Sequence, residues 1–284
     1  MFEQSLHKPL KSRRWLPALS GLLLAASAQA GLPAADDGIQ VGKPSALRQL
    51  VPAASMERQA NTEYADLKRQ AAAKHALAPD NHPDLKRLRT IAARMTPLAG
   101  RYNTRAEQWH WEINLIGSKD VNAFCMPGGK IAFFSGLLTG LKLSDDEAAI
   151  VMGHEIAHAL REHARERLAK SELTNIGAEL LGQFVAQGKY AGAFHYGGNL
   201  LNLRFSRDDE READLVGLDL AARAGFDPRA GVSLWQKMTA ANRGAPPQWL
   251  STHPSGPNRI QEIEQHLPQV MPLYEKALAA RKGG

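Results

Sequence analysis

His154, Glu155 and His158 stand in the order H-E-x-x-H within the stretch GHEIAH, residues 153–158. On a helix, residues four apart lie roughly 40° apart around the axis, so both imidazoles point the same way, one turn apart. Two imidazoles so placed can share one zinc ion, at about 2.0–2.1 Å each. Glu155 projects to the side. It is badly placed as a third ligand, but it can reach a water on the metal and take its proton. The pattern also arises by chance, so its context has to support it.

Two ligands do not complete a zinc site. A third histidine six residues after His158 is ruled out, because position 164 is Ala. His163 would lie roughly 140° around a continuous helix from His158, which makes it a surface residue or an outer support. The other source is SRDDEREADLVGLDLA, residues 206–221. Glu210 and Asp214 are four apart there and share a helix face. A carboxylate at 210 would complete a His₂Glu set and leave a fourth position for water. Asp214 could then bond the free nitrogen of a ligand histidine and fix its tautomer. By composition alone the same stretch reads sooner as an acidic, solvated helix surface.

These residues need elements to hold them. Ser144 can cap a helix, Glu147 three residues later completes a capping box, and Asp145 and Asp146 suit the positive end of the helix dipole. The helix should run from about 145 to about 168 with GHEIAH in its middle. Gly153 and Ala157 would let another element pack closely. Ser206 caps a second helix that Gly225 ends. Asp227-Pro228 opens another helix, and Pro257 the next. Upstream, residues 53–77 form an outer helix, and Pro83 starts a firmer one with Leu85, Leu88, Ile91, Ala92 and Met95 on one face. Trp109, Trp111, Ile113 and Leu115 alternate with polar residues, as a half-buried strand does. Residues 122–138 suggest an extended piece, a Pro-Gly-Gly turn, a second strand and a short helix. Leu173, Ile176, Leu180, Leu181, Phe184 and Val185 suggest an amphipathic helix. The segment GKYAGAFHYGGN after it reads as a long loop, a cover, or a surface that meets a partner.

The chain has 284 residues, 44% of them hydrophobic, enough for a proper core in one good-sized domain or two small ones. The first thirty residues read as a secretory signal. Lys8, Lys11, Arg13 and Arg14 precede the apolar run WLPALSGLLLAA, and AQA (28–30) supplies the small residues for cleavage after Ala30. That run falls short of the ~20 residues of a spanning helix, and no other stretch is long and apolar enough. The formal charge of +6 falls to +3 once residues 1–30 are removed. No dense basic stripe remains, which excludes nucleic acid as a partner. Cys125 is the single cysteine, so no internal disulfide forms. No lipid-acceptor cysteine follows the signal. The expected organisation is a cleaved signal at 1–30, a lead-in and outer helix at 31–80, and the main domain at 81–284.

Taken in order, HEIAH, S-R-x-x-E-x-x-A-D (206–214) and A-G-F-D-P (224–228) resemble the HtpX-like and CAAX-prenyl-protease-like family of zinc metallopeptidases, in its soluble exported branch. NAF and PGG (122–124 and 127–129) and STHPSGPNRI (251–260) also match, so the similarity runs from about residue 80 to about 265. The resemblance implies an α+β, mainly helical, zincin-like fold: an H-E-x-x-H helix, a small sheet and a second helix bearing the glutamate ligand. By position, His154, His158 and Glu210 match the ligands of one Zn²⁺, Glu155 the general base and Asp214 the supporting aspartate. Pro127, Gly128 and Gly129 match the strand near the substrate cleft, where a peptide could add as a further strand. His253 matches a histidine near the zinc. It would stabilise the oxyanion or bind as a fourth ligand and hold the enzyme off; taken alone it is a loop histidine capping the next helix. Arg259 is read as structural. The implied activity is endopeptidase action on unfolded or misassembled envelope or outer-membrane proteins in the bacterial periplasm. The resemblance also admits a chaperone-like assembly factor with a latent zinc site, and the outer-membrane assembly machinery as a partner. Unlike its integral-membrane relatives the chain has no spanning helices, and it lacks the tetratricopeptide tail of some exported ones.

Overall fold

The computed structural model describes residues 38–180, 200, 203–241, 247–254 and 258–282. The expected signal at 1–30 lies outside them. Among the described residues no helix is long and apolar enough to cross a membrane.

The fold is mainly helical with one small sheet. Helices α1 (Ala53–Ala73) and α2 (Pro83–Met95) come first. His82 caps α2, its side chain accepting from the Asp84 amide, and all five residues of the expected apolar face are buried. Three strands follow: β1 (Glu112–Ile116), β2 (Ala123–Met126) and β3 (Lys130–Phe134). Their order is β1-β3-β2, with β1 parallel and β2 antiparallel to β3, so β2 is an edge. Gly128 and Gly129 form the β2–β3 turn at φ 84° and 80°. Positive φ at both central residues favours glycine, and this turn type matches the twist of paired strands.

The strand expected from Trp109 begins only at Glu112, and both its faces are covered. Leu115, Ile131 and Phe133 join the core with α2 and the helices below, while Ile116, Met126 and Ala132 pack with Met56, Ala60 and Tyr64 of α1. Asn114, polar in the alternation, is buried because its amide donates to the Tyr64 hydroxyl at 3.1 Å. Tyr64 in turn donates to the Ile131 carbonyl at 2.5 Å. Burial pushes its phenol well above the usual range, so it stays a neutral donor.

The short α3 (Ser135–Gly140) leads to α4 (Asp145–Leu160), with the expected capping box of Ser144 and Glu147. Every residue from Glu147 to Leu160 is buried, as expected of a helix apolar on most sides. The predicted helix over 145–168 is in fact two. Glu162 adopts φ +60° and breaks the chain between α4 and α5 (His163–Leu180). The break is strapped by the lead-in: Arg161 donates to the Gly42 carbonyl, Arg48 pairs with Glu162 at 2.8 Å, and Arg165 donates to the Val51 carbonyl at 2.9 Å. Sequence periodicity continues through this point, so these tertiary contacts decide it. Leu173 is exposed. The other side chains of the expected 173–185 stripe, and the segment after it, lie outside the described residues.

Helix α6 (Arg207–Arg223) is capped by Ser206 with Asp209 in a second capping box, and Gly225 follows at φ 73°. It packs against α4 and against α9 (Arg259–Lys282), with α7 (Ala230–Ala241) and the short α8 (Gln248–Thr252) closing the site side.

Candidate metal centre

Helices α4 and α6 cross at Gly153 and Gly217, where a Cβ on Gly153 would lie 2.7 Å from the Gly217 carbonyl oxygen. This close approach brings Glu210, in the first turn of α6, over His154 and His158. The loop after α8 adds His253. All four are buried, and one ligand atom from each lies within 4.8 Å of the others.

The separations fit a metal. His154 Nε2 and His158 Nε2 are 3.0 Å apart, and His253 Nδ1 lies 3.2 Å from His154 Nε2. The Glu210 Oε1 atom is 3.0 Å from His253 Nδ1 and 3.3 Å from His158 Nε2. Ligand atoms of a tetrahedral zinc site stand about 3.3 Å apart. The hydrogen-bond inventory agrees. Asp214 Oδ1 accepts from His154 Nδ1 at 3.0 Å, which directs His154 Nε2 at the other ligand atoms. There it faces His158 Nε2 across 3.0 Å in a buried site, a gap that a proton bridges in the metal-free site and that a metal ion would take over.

The charges follow from these contacts. Burial pushes the Glu210 carboxyl up, but His253, His154 and His158 outweigh it and hold it well below the usual carboxylate range. Burial also opposes the Asp214 charge, yet Arg259 keeps its pKa low. His158 is pushed well down by burial and is neutral, as a ligand must be. Burial would lower His154 too, but its bonds to Asp214 and Glu210 win and raise it to about 9 in the metal-free site.

Four residues outside the expected set complete the centre. Arg259, read from sequence as structural, donates to Asp214 Oδ2 at 2.6 Å and Oδ1 at 2.5 Å, and to Glu210 Oε2 at 2.9 Å. It therefore braces both carboxylates from the start of α9, with its guanidinium 3.7 Å from the Trp235 ring centroid. Trp249 Nε1 donates to Glu155 Oε1 at 2.6 Å. Phe205 stacks on His158 with centroids 4.0 Å apart. Glu212 accepts from His163 and Arg161. No spacing rule ties Trp249 or Phe205 to the motif. Glu212 and Arg259 do stand beside residues singled out, within EREAD and HPSGPNR.

Of the two readings of His163, surface residue or outer support, the structure gives the second. Because the helix breaks at Glu162, His163 does not lie on the far side of α4. It is 1% exposed and its Nδ1 sits 2.9 Å from His158 Nδ1. Pro127, Gly128 and Gly129 form the turn beyond β2, with Pro127 lining a cavity of about 180 Å³. That cavity is walled by β2, Phe205 and His253.

Known proteins resemble the chain in sequence. The chain is 38% identical over 178 residues to the mitochondrial metalloendopeptidase OMA1 of Arabidopsis thaliana, covering 61% of this chain and 35% of that protein. It is 28% identical over 197 residues to the metalloprotease LoiP of Escherichia coli, covering 68% and 75%. It is 31% identical over 174 residues to the beta-barrel assembly-enhancing protease of Escherichia coli, covering 56% and 35%. The match thus spans about a third of the plant relative's length. The model of Peptidase family M48, whose metalloproteases are zinc-dependent, matches residues 84–267, which include the whole centre. The chain is a member of peptidase family M48.

Proposed function

We propose that this protein is a zinc-dependent endopeptidase that cuts unfolded or misassembled envelope proteins in the bacterial periplasm. The observation that carries the reaction is the buried His154, His158 and Glu210 group with Glu155 one residue along the same helix. Zinc held there supplies Lewis-acid chemistry, acidifying water and polarising a carbonyl. Glu155 takes a proton from the attacking water and gives it to the leaving amine. The Trp249 indole N–H fixes the Glu155 carboxylate for this work. Asp214 and Arg259 hold His154 and Glu210 in their orientations.

The edge strand β2 is the natural seat for substrate. Its residues wall the cleft beside His253, and an extended peptide can add to an open edge through main-chain hydrogen bonds. The binding stretch is then Ala123–Met126, with Pro127, Gly128 and Gly129 shaping its end. Such backbone recognition reads no particular sequence, which suits unfolded chains. Residues 81–284 are taken as the peptidase domain, with 31–80 as its lead-in and outer helix; the family match begins at residue 84. The periplasmic assignment rests on the signal-like first thirty residues. The mitochondrial relatives offer the competing location, and N-terminal sequencing of the exported protein distinguishes them: the expected mature terminus is Gly31.

A second reading is favoured by one observation. His253 Nδ1 stands among the ligand atoms, 3.2 Å from His154 Nε2 and 3.0 Å from Glu210 Oε1. This is the position a water needs. The resting site is then latent, and the protein could serve as an assembly factor between bursts of proteolysis. The beta-barrel assembly-enhancing protease among its relatives suits that reading.

The reaction is tested with unfolded casein. Chelation should abolish cleavage and one equivalent of zinc should restore it. Cleavage that survives exhaustive zinc removal would rule the proposal out.

A further inference from the structure

His154 and His158 are held from behind in different ways. His154 Nδ1 meets a carboxylate directly, Asp214 Oδ1 at 3.0 Å. His158 Nδ1 instead faces another imidazole nitrogen, His163 Nδ1 at 2.9 Å. The second nitrogen of His163 lies 2.9 Å from Glu212 Oε2. Arg161, 5% exposed, donates to the other Glu212 oxygen at 2.6 Å.

The direction of the hydrogen bonds along this chain follows from its end. Glu212 takes the Arg161 guanidinium on Oε1 and faces His163 with Oε2, and a carboxylate so paired only accepts. With a single ring proton, His163 carries it on Nε2 and keeps a lone pair on Nδ1. That lone pair can only accept, so the proton between the two imidazoles belongs to His158 Nδ1. His158 Nε2 is then bare and turned toward His154 Nε2 and Glu210 Oε1.

We propose that Glu212 and His163 form an outer relay that fixes His158 in its Nδ1–H tautomer and so presents Nε2 to the zinc. Both are positioning residues, and the inference rests on the ligand set proposed above. The helix break at Glu162 serves this relay. On an unbroken helix His163 would face roughly 140° away from His158. The left-handed residue at 162 turns it back, and the lead-in contacts of Arg48 and Arg165 hold that turn.

The relay makes opposite forecasts for near-isosteric changes. In Glu212→Gln, Arg161 keeps the single amide oxygen, so the amide NH₂ faces His163 and reverses the chain of hydrogen bonds. In His163→Leu the acceptor is gone. In His163→Asn the side-chain oxygen falls near the place of Nδ1 and can still accept from His158. Zinc affinity of the full chain, measured by chelator competition with zinc alone, should fall about 10–100-fold in Glu212→Gln and His163→Leu. His163→Asn should recover most of that loss. Nitrogen NMR of the metal-free parent should find His158 as the Nδ1–H tautomer, and Glu212→Gln should switch it to Nε2–H. Should His163→Leu fail to fold, Glu212→Gln and the parent tautomer decide. An Nε2–H His158 in the parent, or unchanged affinity in Glu212→Gln, overturns the relay. His158→Ala is the reference: if it loses zinc while Glu212→Gln does not, the relay alone fails. If it too keeps zinc, the ligand set fails and the relay with it.

Discussion

Gly217 of α6 lies so close to α4 that a Cβ on it would stand 2.6 Å from the His154 amide nitrogen. The spacing between the histidine helix and the glutamate helix is thus set by two missing methyl groups, at Gly153 and Gly217. Gly217→Ala must push the helices apart. Overpacking of this kind costs typically 1–3 kcal/mol. The variant should melt several degrees lower and bind zinc more weakly, because Glu210 moves with α6. Thermal melting with and without zinc checks this; unchanged melting in both would refute it.

Asp214 joins His154 to Arg259. Asp214→Asn leaves an amide whose NH₂ competes with one of these donors. Zinc affinity should drop about 10–100-fold, as is usual when an outer partner of a ligand histidine is changed. Chelator competition measures it. Parental affinity would mean that Arg259 and Glu210 suffice to orient His154.

Zinc binding should release a proton. The metal-free His154 is raised from 6.5 to about 9, so near pH 7.5 it is protonated and zinc must displace that proton. Apparent affinity should therefore fall as pH drops below about 9, by about tenfold per unit for one proton. The sign for the fold is the reverse. A raised pKa stabilises the metal-free protein fully below 6.5, and this contribution is lost as pH rises through 9. Calorimetry in buffers of different ionisation enthalpy counts the proton. No buffer dependence at pH 7.5 would contradict the assignment.

His253 Nδ1 stands among the ligand atoms, so on the latent reading His253→Ala should raise peptidase activity on an unfolded protein while zinc stays bound. Initial rates under matched zinc loading read this directly. A fall in rate would instead assign His253 to oxyanion stabilisation.

Much of the centre was legible in the sequence, because local rules govern it. His154, Glu155 and His158 follow from helical spacing, and the caps at Ser144 and Ser206 follow from side-chain reach. The family resemblance then turned Glu210 from one acidic residue among several into the expected third ligand. What was not legible depends on contacts far apart in the chain. Periodicity carries α4 on to residue 168. Only Arg48, Gly42 and Val51, more than a hundred residues upstream, explain the break at Glu162. The 140° offset expected between His163 and His158 fails for that reason alone. Asn114 was expected on an open strand face, but α1 covers that face and Tyr64 satisfies it. Trp249 reaches Glu155 from a five-residue helix that no pattern announces.

The central claim is that Glu155 moves the protons while His154, His158 and Glu210 hold the metal. Glu155→Gln separates the two jobs with the smallest change of shape. The measurement is zinc content together with cleavage rate of an unfolded substrate. The expected result is one zinc per chain, a normal melting temperature, and a rate lower by about 10²–10⁴-fold. A variant that keeps its zinc and also its full rate would contradict the account.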